Sequence, residues 1–385
     1  MQRSFPVHLL VSTPSGPIPL TPERARISLP QGPEAQGALI HYGPFLQAVA
    51  RFLSQDSYAP LLHSLSRQLD RPIAREDIEN VELISEKHGV LYHVVHLRVH
   101  IKSERVSLVL NVAVKPEQQA FLESECSLLE MLHQHFGLPY LPRPLFKGEA
   151  LYTGDDGSEL TLKIFMAEWF EGFHEFHLSM EPQQEQPVIK VWGLEEGDTV
   201  LRTDQALALY QHASAILTAY LDPASFRQIY PWHHAAGDFI LKQTPNGIQL
   251  RLVTARDYRA LISLGADPEE KWVALVHFFF NLTLRMRMDR LDGTGKRAWA
   301  PPESLSGVLS GFLESWSEKA RLDPSLPPAE DVLHLLRRFT PREWISLGEV
   351  VLEDGMVETD ELDFLSYHMA EHVSALMDAL DKQRP

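Results

Sequence analysis

The sequence predicts an α+β chain, on three observations. Residues 81–114 hold three β-rich runs separated by short polar stretches. A second pair of apolar runs flanks Pro245-Asn246-Gly247. Most of the remaining chain carries apolar residues at helical spacing. Runs that alternate around short polar turns pair as antiparallel strands, while apolar residues at i, i+3 and i+4 form the buried stripe of a helix.

Taken in order, residues 1 to about 37 are rich in Pro, Gly and Ser, with Val7–Leu10 and Ala25–Leu29 as short strands, and predict an extended arm with little core of its own. Phe45, Val49, Phe52, Leu53, Leu61, Leu62, Leu65 and Leu69 predict one or two amphipathic helices, broken near Pro60. Val81–Leu83, Val90–Val99 and Val106–Val114 predict a three-stranded antiparallel meander. A helix follows over 116–136, with Phe121, Leu128, Leu129, Leu132 and Phe136 on one face and Gly137 ending it. Two strands come next, split by Gly154-Asp155-Asp156-Gly157, the second running to Trp169. Helices are then expected over 204–221, 270–291, 304–318, 328–338 and 360–381.

Composition excludes several classes. A net charge of −17 argues against a broad nucleic-acid surface. No apolar run reaches the roughly 18 residues needed to span a bilayer, so no membrane partner is expected. Pro6, His8 and the 13–17 stretch interrupt any signal-peptide core. The single cysteine, Cys126, forms no intramolecular disulfide and fits a reducing, cytoplasmic setting. The pairs His133/His135 and His174/His177 lack companion cysteines and zinc-binding spacing.

The densest chemistry lies in residues 230–241, where Tyr230, Trp232, His233, His234, Gly237 and Asp238 precede the hairpin's first apolar run. Polar groups at the mouth of a hairpin can be held rigidly and still face a cleft. A buried aromatic loop is the plainer account of the same residues.

The order of elements resembles the protein-kinase-like fold, in its aminoglycoside phosphotransferase and choline-kinase branch. The residues that carry the resemblance are Val112-Ala113-Val114-Lys115 ending a strand, and Glu125 with Leu129 and Leu132 in the next helix. Leu138-Pro139-Tyr140-Leu141-Pro142 after that helix, and Met166 to Gly172, complete the set. The resemblance covers residues 78–320, about two thirds of the chain. It implies a two-lobed fold: a small antiparallel-sheet N-lobe with one helix, and a larger, mainly helical C-lobe with a β-hairpin at the active site. The expected segments are an arm with helices over 1–75, the N-lobe over 76–172, the C-lobe over 173–320 and a helical extension over 321–385.

The resemblance also implies an ATP- and Mg2+-dependent transfer of phosphate to the hydroxyl of a small molecule. Lys115 would hold nucleotide phosphates and Glu125 would pair with it. Glu168 and Phe170 fall in the segment resembling the adenine-binding hinge. The catalytic loop departs from the family pattern, and two registers compete. In one, Asp238 is the base and Gln243 stands where the family has its asparagine. In the other, Asp238 binds the metal and His233, with His234 beside it, takes the position of the base. Asp257 is the candidate for the second metal carboxylate. A catalytically inactive pseudokinase that binds nucleotide or protein is the alternative, and a metal-dependent hydrolase using His233 and His234 is a third. The terminal extensions are expected to serve homodimerisation or docking.

Overall fold

The computed structural model describes residues 5–29, 40–88, 92–102, 104–181, 186–193, 197–232, 237–263, 265, 269–354 and 359–383. The chain divides into two units, Met1–Glu171 and Gly172–Pro385.

The N-terminal unit is a seven-stranded mixed sheet between helices. Its elements are β1 (Val7–Val11), β2 (Ile18–Pro19), α1 (Pro22–Ala25), α2 (Tyr42–Gln68), β3 (Ile78–His88), β4 (His93–Ile101), β5 (Glu104–Ala113), α3 (Pro116–Phe136), β6 (Pro144–Thr153) and β7 (Glu159–Glu168). The spatial order is β2-β1-β3-β4-β5-β7-β6. The expected meander is present as β3-β4-β5, antiparallel throughout. The arm contributes more than expected, because β1 pairs in parallel with β3, Val7 opposite Val81. Residues 22–25 are a helical turn rather than part of a strand, started by the Thr21 hydroxyl, which accepts from the Arg24 N–H.

The long helix α2 is interrupted at Gln55–Tyr58, where Asp56, Ser57 and Tyr58 take positive φ. Pro60 explains the position. It has no N–H to donate to the carbonyl four residues back, at Asp56, and its ring clashes with that carbonyl. The helix restarts beyond the break and continues across the sheet. Phe45, Val49, Phe52, Leu61 and Leu65 of α2 pack with Leu83, Val95, Leu97, Leu108 and Leu110 of the strands in one apolar core. Helix α3 packs against β5, β6 and β7. It buries Leu122, Glu125, Cys126, Leu129 and Leu132, a stripe rotated from the one the apolar residues alone suggested. Gly137, at φ 64°, closes it in the left-handed conformation that glycine adopts without strain.

The C-terminal unit holds short strands and six α-helices among its described residues. Strands β8 (Phe176–Ser179), β9 (Val188–Val191) and β10 (Thr199–Val200) form one small sheet. Helix α4 (Thr203–Ala219) follows, then β11 (Arg227–Ile229). The expected hairpin is β12 (Phe239–Thr244) with β13 (Gly247–Leu252), Thr244 opposite Gly247 across Pro245-Asn246. Strand β14 (Tyr258–Ala260) returns to pair with β11.

Helix α5 (Glu269–Arg285) is shorter than the sequence suggested, because Met288–Arg290 is strand β15, paired with β16 (Arg297–Trp299). Four helices complete the chain: α6 (Ser304–Leu322), α7 (Ala329–Leu336), α8 (Pro341–Asp354) and α9 (Thr359–Lys382). The sequence reading missed α8. Phe279 of α5, Phe312 of α6 and Trp344 of α8 meet in the core of these helices. Helices α4 and α6 approach so closely that a β-carbon at Gly307 would fall 2.5 Å from the Leu207 carbonyl oxygen. Among the described residues no helix is long and apolar enough to cross a membrane.

Candidate functional site

The candidate residues of the N-terminal unit lie at the start of α3, within it, and at the end of β7. Strand β5 stops at Ala113, so the expectation that Lys115 sits on the strand is corrected: Lys115 is the cap residue of α3, in extended backbone. Its N–H donates to Gln118 Oε1 at 3.3 Å. Glu125 lies ten positions further along that helix, a rise of about 15 Å. Lys115 and Glu125 therefore do not meet, and no ion pair joins them among the described residues. A strand lysine does pair with an α3 glutamate, but the two are Lys163 of β7 and Glu123, at 2.9 Å. Glu125 itself is 3% exposed, within the buried stripe of α3.

Glu168 ends β7, opposite Leu108, and its N–H donates to the Arg143 carbonyl at 3.1 Å. Phe170 follows the strand and is half-buried. Between them, Trp169 lays its ring on the His96 imidazole, 4.0 Å apart and 10° from parallel. This stack leaves His96 2% exposed, with Glu86 Oε1 3.7 Å from its Nδ1.

In the C-terminal unit, Gly237 at φ 84° turns the chain into the hairpin and Asp238 follows it. The Asp238 carbonyl accepts the Val253 N–H at 2.7 Å, which ties the start of β12 to the residue after β13. The Asp238 carboxylate is buried and held by both arms of the Arg256 guanidinium: Nη1 donates to Oδ2 at 2.5 Å and Nη2 donates to Oδ1. Two parallel charge-assisted bonds of this kind are the strongest pairing available to a carboxylate. Asp257 is partly exposed. Its Oδ1 accepts the Tyr258 N–H at 2.7 Å and its Oδ2 lies 3.5 Å from Arg259 Nε.

These contacts bear on magnesium. Both oxygens of Asp238 already accept from Arg256, and Asp257 leans on Arg259 and a backbone N–H. Asp238 thus spends both oxygens on Arg256, whereas Asp257 keeps Oδ2 partly exposed. Among the described residues, no group of three or more His, Cys, Asp or Glu side chains is placed to hold a metal. His233 and His234, the candidate bases, lie outside the described residues.

Sequence reasoning missed a buried polar cluster in the same unit. His177 of β8 is 3% exposed, and neither ring nitrogen has a hydrogen-bond partner among the described residues. Its ring packs 4.3 Å from that of Trp192, and Gly293 lies against it so closely that a β-carbon there would fall 2.7 Å from Cε1. Asp289, on β15, accepts the Leu178 N–H at 2.8 Å. Burial pushes its carboxyl up to about 6, against the pull of the Leu178 and Arg290 N–H groups and of His177. Ser179 donates to Asp292 at 2.5 Å on the same side of β8. Asp289 reads in the sequence as the tail of a helix. A signal was available in Asp292-Gly293, a turn pair placed between two short β-prone runs.

No protein-family model matches the chain, and no curated protein matches its sequence.

Proposed function

We propose that the chain is a kinase-like binding module that does not transfer phosphate. The kinase-like part of this reading rests on the order β3-β4-β5-α3-β6-β7, with β7 between β5 and β6 in the sheet, and on the Met166–Gly172 segment after it. A fold-level likeness of this kind raises the expectation of an ancestral nucleotide site and says nothing of turnover. The observation that carries the loss of transfer is the Arg256–Asp238 pair. An arginine occupies the carboxylate that would otherwise serve as base or metal ligand. The absence of any lysine from β5 points the same way.

An active phosphotransferase of a small hydroxyl acceptor is the second reading. It is favoured by Lys115, whose side chain makes no ion pair among the described residues and which caps the N-terminus of α3. The positive end of a helix and a lysine attract phosphate together.

Thermal melting separates the two. A ligand that binds only the folded chain must raise its melting temperature by mass action. The wild type and Lys115→Ala are melted with ATP, with and without magnesium, and phosphate release is followed in parallel. The binding module gives no magnesium-dependent rise and no phosphate. A rise that requires magnesium, disappears in Lys115→Ala and accompanies phosphate release overturns it in favour of the enzyme.

A further inference from the structure

The C-terminal unit carries an open groove of about 710 Å³ bounded by α5, α7 and α8. Its lining is largely apolar, with Trp272, Val276, Leu335, Phe339 and Leu347. Val273, also on the lining, is 56% exposed. A large apolar residue held out in water beside an apolar trough marks a surface that something covers.

The charges at the groove indicate what. Glu269 stands at the start of α5; Asp331, His334 and Arg338 lie along α7 and the turn that ends it, and none of these three has a side-chain partner among the described residues. Asp331 and Arg338 are seven positions apart, two helical turns, so they fall on one stripe about 10 Å apart with Leu335 between them. The stripe is acidic at one end and basic at the other. It is therefore complementary to its own copy turned end for end, as a two-fold interface requires. The rest of the surface favours no such meeting, since each copy carries a net charge of −17 and repels another.

We propose that this groove is a self-association face, covered by a second copy of the chain with the two α7 helices antiparallel. Asp331 of each copy meets Arg338 of the other, and the axis passes between His334 and Leu335. The exposed Val273 of each copy enters the apolar trough opposite. The interface is independent of whether the chain binds nucleotide, because every residue in it lies on α5, α7, the turn after α7, or α8.

Sedimentation velocity of the full chain, over about two decades of concentration, tests this. The expected result is a monomer–dimer equilibrium that Val273→Glu abolishes. That variant introduces a charge at an already exposed position, so circular dichroism should show an unchanged fold. Asp331→Arg and Arg338→Asp should each raise the dimer dissociation constant roughly tenfold, because each creates two like-charge contacts across the axis. The double variant, with the charges exchanged, should return it close to the wild-type value. That rescue requires Asp331 and Arg338 to face each other between copies. A chain that stays monomeric throughout, a dimer indifferent to Val273→Glu, or a double variant no tighter than the single ones overturns the proposal.

Discussion

Replacing Asp289 by Asn should stabilise the chain at neutral pH and leave it little changed in acid. The carboxyl is 6% exposed, and burial raises it from an ordinary 3.8 to about 6. Each pH unit between those values is worth about 1.4 kcal/mol, so the ionised form costs the fold about 3 kcal/mol relative to the protonated one. The folded chain holds this proton more tightly than the unfolded chain. Its contribution is therefore fully present below pH 3.8, falls as pH rises, and is gone above about 6. Asparagine is neutral throughout, and its Oδ1 can still accept the Leu178 N–H. It gives up the second acceptor that serves Arg290, at about 1 kcal/mol. The variant should gain about 2 kcal/mol over wild type at pH 8, and lose most of that advantage at pH 4. Urea denaturation at several pH values, read by circular dichroism, measures the difference. A difference that does not vary with pH refutes the argument. So does a variant less stable than wild type at pH 8, which would mean that His177 and Arg290 hold the carboxylate ionised.

Two further outcomes are open to measurement. Arg256→Ala should cost about 3–5 kcal/mol in urea denaturation, since it strands the buried Asp238 charge; adding Asp238→Asn should recover part of that loss, and a single-variant cost below about 1 kcal/mol would show the pair to be incidental. Trp169→Ala should open His96 to carbethoxylation, read residue by residue by mass spectrometry; a His96 that stays as protected as in wild type would mean that the indole is not what covers it.

The strands of the meander, helix α3 and the β12–β13 hairpin were legible because each carries a local signal: β-rich runs between polar turns, a glycine stop, a Pro-Asn-Gly turn. The break in α2 was legible to within a few residues from Pro60 alone. What sequence hid was mostly non-local. The parallel pairing of Val7 with Val81 joins positions over seventy residues apart, and nothing in either run announces it. The rotated stripe of α3 reflects Glu125 and Cys126 turned inward, a choice made by the sheet rather than by side-chain apolarity. Met288–Arg290 looked helical because the apolar period of α5 runs on past Arg285.

Helix α8 was missed despite a local signal. Thr340 and Glu343 form a capping box, the Thr340 N–H donating to the Glu343 carboxylate at 2.7 Å, with Pro341 at the first helical position. The candidate site was legible as a set of residue types and not as a geometry. Lys115 and Glu125 read as partners because the spacing suited a strand followed by a helix. That inference fails on length, because a helix over 116–136 already carries Glu125 about 15 Å along its axis from Lys115.

The layer that α2 lays over the sheet also sets an order of events. The helix precedes in sequence all but two of the strands it helps to cover, so a growing chain makes Phe45, Val49, Phe52, Leu61 and Leu65 before it has made their partners on β3, β4 and β5. Contacts separated so far along the chain form slowly, and apolar surface left waiting for them invites association with other chains. The arm and its helix, the first parts of the N-terminal unit to be made, therefore keep apolar surface uncovered until those strands follow. The unit stays unfinished until the strands of its sheet are in hand.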